Sequence, residues 1–472
     1  MLNIPEYPEA SSFFRFFEEI SSIPHGSGNT SHIAEYLVNF ATSRGLAVMR
    51  DGINNVIIKK PATKGLEDRR GVVLQAHLDM VADKTADCTI DMTTEGLSLY
   101  RDGDFIKARG TTLGGDDGIG VAYALAILDA DDIPHPPLEA LFTSDEEIGL
   151  IGATGLRGDE IDGRMLINLD LDSEGIFTVG CAGGMRSDIK LPVKRESADG
   201  VKYLLSLDGC QGGHSGGEIN KGRVNAIKAL GEILALSGGL RIVSISGGVA
   251  DNAIPKSAEC ELIISDKERV LSAIAEIREK YKEAEPDISI TLTASGTAHE
   301  AVDTASSERI VDLLSRVPSG VIAMSADMPT LVETSLNLGI IKMDEEVFNC
   351  TFSVRSSIGE KKKAVGARLH EIADGFGADY SERGEYPAWE YKKNSPLRDT
   401  MVRVYERMYN KSPKVIIIHA GLECGILSEK YEGLDSVSMG PDNFDIHTPD
   451  ERMSISSVAR VWNYLLEVLK EI

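Results

Sequence analysis

The sequence lacks any run of about 18 apolar residues, which argues against a membrane-spanning helix. Its opening residues, Met-Leu-Asn-Ile-Pro-Glu, place an acid and an early proline where a secretory signal carries basic residues and an apolar core. Cysteine is sparse: Cys88, Cys181, Cys210, Cys260, Cys350 and Cys424 are scattered, and no two form a Cys-x-x-Cys pair. That density supplies no disulfide framework, so a reducing cytoplasm is the expected compartment. Positive charge is also short, with 49 Lys and Arg against 74 Asp and Glu, a formal net charge of −25. Phosphate binding needs a basic surface, so nucleic acid is not an expected partner, and without a spanning run neither is a membrane.

What is present is enough for large cores. The 472 residues are 42% hydrophobic, and that length exceeds what one core usually organises, so two domains are expected. The acidity has two readings, a solubilising surface or carboxylates converging on cations, and only local spacing separates them.

Residues 11–23 carry Phe13, Phe14, Phe16, Phe17 and Ile20 at helical intervals, bounded by Pro24. From there to residue 185, short β-rich runs (71–76, 138–143, 165–169) alternate with helical stretches, among them 118–130 after a glycine-rich turn. This predicts an α/β domain with a mainly parallel sheet and helices on both faces. In such sheets the chemistry gathers beyond the carboxyl ends of the strands. A different texture fills 186–395, where strands (202–207, 258–265, 288–293, 347–354) flank amphipathic helices (221–237, 267–283, 361–375). Segments 252–280 and 337–370 both read turn, strand, long helix, which suggests an internally duplicated α+β lid. The first texture returns at 396–472, with a buried strand at 415–418 and an amphipathic closing helix at 455–471. The expected organisation is a catalytic domain of 1–185 and 396–472 with 186–395 inserted.

Metal-type ligands stand at the strand ends of the α/β part. His77 and Asp79 follow the first run, Asp116 and Asp117 open a helix, and Glu146 and Glu147 follow the second run. Asp170 and Asp172 follow the third, and His447 sits in a late polar loop. Taken singly, each has a plain alternative: a hydrogen-bonded loop pair, a helix N-cap, a solvated turn, a surface histidine. Together they match a chemical need. Two zinc ions about 3.5–4 Å apart require a bridging carboxylate plus roughly one His and one further carboxylate each. His77, Asp116, Glu147, Asp170 and His447 supply that complement. Asp79 is left to fix the ligand environment, and Glu146 to serve as a base.

The strings His77-Leu-Asp79, Thr112-Leu-Gly-Gly-Asp116-Asp117-Gly, Ser144-Asp-Glu146-Glu147-Ile-Gly and the late His447 resemble the co-catalytic zinc peptidases, which include aminoacylase, carboxypeptidase G and peptidase T. Asn168-Leu-Asp170, Gly212-Gly-His214-Ser-Gly, Asn252-Ala-Ile-Pro255, Ser353-Val-Arg355-Ser-Ser and His419-Ala-Gly421-Leu-Glu423-Cys-Gly narrow the resemblance to the bacterial aminoacyl-histidine (cytosol non-specific) dipeptidases. It implies His77, Asp170, Glu147 and His447 as terminal ligands, Asp116 as the bridge, Asp79 as the supporting acid and Glu146 as the general base. His214 on the lid would stabilise the oxyanion or hold the substrate as the lid closes, from within its own chain or exchanged between two. Asn252, Arg355 and Gly421 would bind substrate, with Arg355 suited to a carboxylate; charge makes Glu423 a candidate for the free amino group. Where the family usually has a run of glutamates this chain has Asp172, so Asp170 is preferred on its Asn-x-Asp setting alone.

The implied reaction is hydrolysis of Xaa-His and broader dipeptides, with two divalent ions per chain and a possible homodimer through the lid. Zinc is the expected metal, although carboxylate and imidazole also accept manganese and cobalt. An N-acyl amino-acid deacylase and a tripeptide aminopeptidase fit the same scaffold, and a non-catalytic metal-binding protein is the alternative of another class. The turn 111–120 lacks the Gly-Lys-Ser/Thr ending of a phosphate loop and the Gly-x-Gly-x-x-Gly of a dinucleotide fold.

Overall fold

The computed structural model describes residues 4–326 and 328–472; the opening Met-Leu-Asn, read above for a targeting signal, lies outside them. The chain forms two compact units. One comprises Met1–Gly180, Tyr391–Ile417 and Leu422–Ile472, and the other Cys181–Glu390 with Ile418–Gly421. The breaks thus differ from those expected at 185/186 and 395/396. Strand Gly183–Pro192 pairs along its whole length with Val347–Ser356, which draws its first residues into the second unit. Residues 418–421, expected in the first domain, join the second through the bond from Ala182 N–H to the Ile418 carbonyl (3.0 Å) and the approach of His419 Nε2 to Ser335 Oγ (2.7 Å).

The first unit is built on an eight-stranded sheet. Its order is Ala47–Arg50, Val56–Lys60, Leu138–Thr143, Val72–His77, Met165–Asn168, Asp435–Ser438, Ile176–Cys181, Lys414–Ile418. Parallel pairing joins the four central strands, 138–143, 72–77, 165–168 and 435–438. Antiparallel pairs flank this parallel centre, Val56–Lys60 on Leu138–Thr143 and Asp435–Ser438 on Ile176–Cys181. The central strands are buried at nearly every residue, which is why they read as continuous apolar runs. Lys414–Ile418 is an edge strand with only Ile417 buried, not the buried strand its Val-Ile-Ile-Ile composition suggested. The Phe-rich helix Ser11–Ser21 packs on helix Gly115–Asp129, with Phe13 4.6 Å from Tyr123 between ring centroids. The closing helix Ile455–Glu471 buries Val458, Trp462 and Leu465.

The second unit carries a nine-stranded antiparallel sheet. One half runs 289–302, 195–208, 258–264, 240–247, and the other, outward from the centre, 332–343, 347–356, 183–192, 379–386. The halves repeat one topology: helices Lys267–Tyr281 and Phe-ended Gly359–Phe376 each follow a second-rank strand and lead to an edge strand. Alternation along Ala258–Ile264 buries Ala258, Cys260 and Leu262 against a core with Leu230, Ile274 and Leu313. Among the described residues, no helix is long and apolar enough to cross a membrane.

Candidate metal centre

The first unit's central strands end in the residues that matter. His77 closes strand 72–77 with 1% of its surface exposed. Its Nδ1 lies 3.0 Å from the Asp79 carbonyl oxygen, a bond that places the ring proton there and leaves Nε2 to act as a ligand. Nε2 faces Asp116 Oδ1 at 2.9 Å and Asp170 Oδ1 at 3.6 Å. Asp170 follows the neighbouring strand 165–168, so one trio is drawn from two adjacent strand ends and a turn.

Asp116 and Asp117 divide two tasks. Asp117 Oδ1 accepts from Gly120 N–H at 3.0 Å, capping the helix, while Oδ2 accepts from His77 N–H at 3.2 Å. The helical backbone proper starts after these two residues, whose dihedrals are not helical. Asp116 therefore turns away, and its second oxygen, Oδ2, lies 3.0 Å from His447 Nε2. The same nitrogen is 3.0 Å from Glu147 Oε1. Three trios in this unit could each hold a metal ion: His77–Asp116–Asp170, Asp116–Glu147–His447, and His77–Glu146–Glu147. In each, the ligand atoms lie within 4.8 Å of one another.

Asp79 organises the surroundings. Buried at 1% exposure, it accepts from Glu146 N–H (2.9 Å), Glu147 N–H (3.3 Å) and Ser27 Oγ (2.8 Å). One carboxylate thus fixes the turn after strand 138–143 that presents both glutamates. Asp172 is exposed and accepts from Ser173 Oγ at 2.9 Å, so Asp170 is the acid turned toward His77. Glu423 is fully buried; its Oε2 accepts from Gln75 Nε2 and Thr143 Oγ1, both at 2.7 Å, and its Oε1 has no partner.

Electrostatics show what the donor set needs. Burial works to raise Asp116, but the bonds with His447 and His77 hold it well below the usual carboxylate range. Burial, with Asp116 next, pushes Asp170 up to about 7, and burial pushes Glu146 up to about 9. His447 is pushed up to about 10 by Asp116 and Glu147. Acids this close and this dry cannot all ionise with only two imidazoles to balance them. Oxygen and imidazole donors without thiolate suit zinc and its divalent neighbours, so the residues fit a pair of cations.

The second unit brings the remaining candidates together by itself. His214 bridges Ala253 across a two-stranded ribbon, beside Asn252, whose carbonyl accepts from Ser215 N–H at 2.8 Å. Arg355 is 8% exposed, donates from Nη1 to Tyr386 Oη at 2.9 Å, and keeps Nε without a partner. Burial, then Arg355, lowers the pKa of His214; burial and the same cation lower that of His419 to about 4. Gly421 packs against Tyr386, whose ring a Cβ there would meet at 2.8 Å.

The model of peptidase family M20/M25/M40 matches residues 73–471. The chain belongs to this family. It is 40% identical over 467 residues to the cytosol non-specific dipeptidase of Escherichia coli, covering 97% of this chain and 96% of that protein. The crystal structure of aminoacylhistidine dipeptidase from Vibrio alginolyticus superposes with a TM-score of 0.92 at 37% identity, over 98% of this chain and 96% of that one. Aminopeptidase PepT from Bacillus cereus shares the fold at a TM-score of 0.57 and 17% identity, over 98% of each chain.

Several residues of this M20/M25/M40 peptidase escaped the sequence reading. Ser27 reaches Asp79 from a segment 52 positions away. Gln75, between Asn168 and Glu423, runs a buried polar chain beneath the strand that ends in His77. Glu451, noticed only as part of a polar loop, accepts from the backbone of residues 113–116. One signal for it exists: the Leu-Gly-Gly-Asp turn leaves consecutive N–H groups that need an acceptor.

Proposed function

We propose that this M20-family chain hydrolyses the peptide bond of dipeptides, using two divalent cations and Glu146 as general base. The observation that carries the reading is Asp116, whose two oxygens face separate histidines, His77 at 2.9 Å and His447 at 3.0 Å. A carboxylate so divided suits a bridge, with His77 and Asp170 on one side and Glu147 and His447 on the other. Cations held there, zinc first, with manganese or cobalt accepted by the same donors, would supply the Lewis acidity that lowers a water pKa toward about 7 and polarises a carbonyl.

The chain's own residues do the rest. Glu146, beside Glu147 and His77, accepts the proton of the attacking water on its carboxylate and hands it to the leaving amine. Asp79 keeps Glu146 in place through its backbone N–H. Arg355, with its free Nε, is assigned the substrate carboxylate, Asn252 and Gly421 its backbone, and His214, held neutral, the developing oxyanion. Glu423, with Oε1 unpartnered, is assigned the substrate amino group. A cytoplasmic location agrees with the sparse, scattered cysteines and with the name of the Escherichia coli relative.

The sister activities differ in substrate. Turnover by the zinc-loaded protein of an unmodified dipeptide, an N-acetyl amino acid and a tripeptide separates them. The dipeptide is expected to show the highest kcat/KM; a lead for either other substrate would replace this reading, and hydrolysis of none would favour a non-catalytic metal protein.

A further inference from the structure

Glu451 lies in the loop that carries His447, yet its carboxylate is spent on the turn that carries Asp116. Oε2 accepts from Leu113 N–H (2.8 Å) and Gly114 N–H (2.9 Å). Oε1 accepts from Gly115 N–H (2.9 Å), Asp116 N–H (3.3 Å) and Asn443 Nδ2 (3.1 Å). The side chain is 2% exposed, so these bonds form in a dry setting where an anion wrapped by backbone amides is held firmly. The turn is shaped for the contact. Gly114 has φ +66°, and a Cβ there would meet Met80 Sδ at 2.7 Å; a Cβ on Gly115 would meet Asn443 Nδ2 at 2.8 Å.

This geometry bears unequally on the two proposed cation sites. His77 and Asp170 stand at the ends of sheet strands that Glu451 does not bond. His447 stands instead on an exposed loop, with positive φ at Asp445 (52°) and at His447 itself (64°). That loop is closed at its base by the short strands Asn443–Phe444 and Arg452–Ser454. Glu451 and Asn443, one at each end of the loop, meet each other and the Asp116 turn there.

Resting on the two-cation reading, we infer that Glu451 is a positioning residue that sets the distance between Asp116 and His447, and so selectively maintains the Asp116–Glu147–His447 cation site. It touches neither substrate nor cation. Its two acceptor oxygens fix the bridging carboxylate's backbone and the histidine's loop as one piece. A glutamine would present an amide donor to N–H donors, while an aspartate would keep both oxygens on a stem one methylene shorter.

The test is titration of metal-depleted protein with Co2+, followed by calorimetry and by the visible absorption of each bound equivalent. Wild type is expected to take two equivalents. Glu451→Gln should keep one at wild-type affinity and bind the second about 10–100-fold more weakly. Glu451→Asp should fall between, a graded response that a general loss of structure would not give. Equal affinity for both equivalents in Glu451→Gln, or equal weakening of both, would overturn the inference while leaving the two-cation reading intact. If circular dichroism shows the glutamine variant unfolded, the aspartate variant decides by the same criterion. A wild type that takes other than two equivalents would overturn the two-cation reading, and this inference with it.

Discussion

Glu146 and Glu147 are adjacent, and both have backbone N–H groups anchored on Asp79, yet their side chains serve different partners. Glu147 Oε1 sits 3.0 Å from His447, whereas Glu146 stays beside His77 without a ring nitrogen of its own to bond. The proposed ligand and the proposed base therefore come from one turn. Glu146→Gln is expected to retain two equivalents of metal while losing about 100- to 10,000-fold in kcat. Elemental analysis alongside steady-state kinetics checks this, and near-normal turnover in a fully loaded variant would remove Glu146 from the mechanism. The proposed ligands His77, Asp116, Glu147 and Asp170 were legible because each follows a strand or opens a helix, where the fold class already places chemistry. Glu451 and Ser27 were not, because a side chain that bonds a distant partner carries no local pattern; Ser27 donates to Asp79 from 52 positions away, and Glu451 accepts from residues more than 330 positions away.

The helix that begins after Asp117 shows how an element can hide a site. From sequence, two aspartates before an apolar helix are a cap and its neighbour, and that account holds for Asp117. Asp116 escapes it because its backbone is extended, with ψ 109°, and points the carboxylate toward the histidines. The neighbours should respond differently to alanine. Asp117→Ala removes a buried cap and the bond to His77 N–H, and should lower unfolding free energy by about 1–2 kcal/mol. Asp116→Ala removes the carboxylate that bonds both histidines, so it should also cost the metal-free protein stability, and it alone should abolish paired metal binding. Metal titration of both folded variants distinguishes them; paired binding kept by Asp116→Ala and lost by Asp117→Ala would reverse the assignment. Strand composition was a poorer guide at the sheet's edge. Lys414–Ile418 is rich in isoleucine yet lies at the end of the sheet order, since composition reports tolerance of burial and not the presence of a neighbour.

At the scale of the molecule, the proposed ligands fall in one unit and all the proposed substrate residues but Glu423 in the other. His77, Asp116, Glu147, Asp170 and His447, with Glu146, Asp79 and Glu423, all belong to the first unit, and His214, Asn252, Arg355 and Gly421 to the second. The change of texture near residue 186 was readable, since continuous buried strands give way to alternating ones with amphipathic helices. The return of residues 418–421 to the second unit was not, because four residues carry no periodicity and their membership rests on pairing with Ala182 and Ser335. The proposed function depends on five side chains from separated stretches of the first unit enclosing two cations with Asp116 between them. Anomalous diffraction at the zinc edge from crystals grown with zinc tests this most directly. Two peaks about 3.5–4 Å apart are expected, one beside His77 and Asp170 and the other beside Glu147 and His447. A single peak, or peaks that leave Asp116 outside both coordination spheres, would contradict the account.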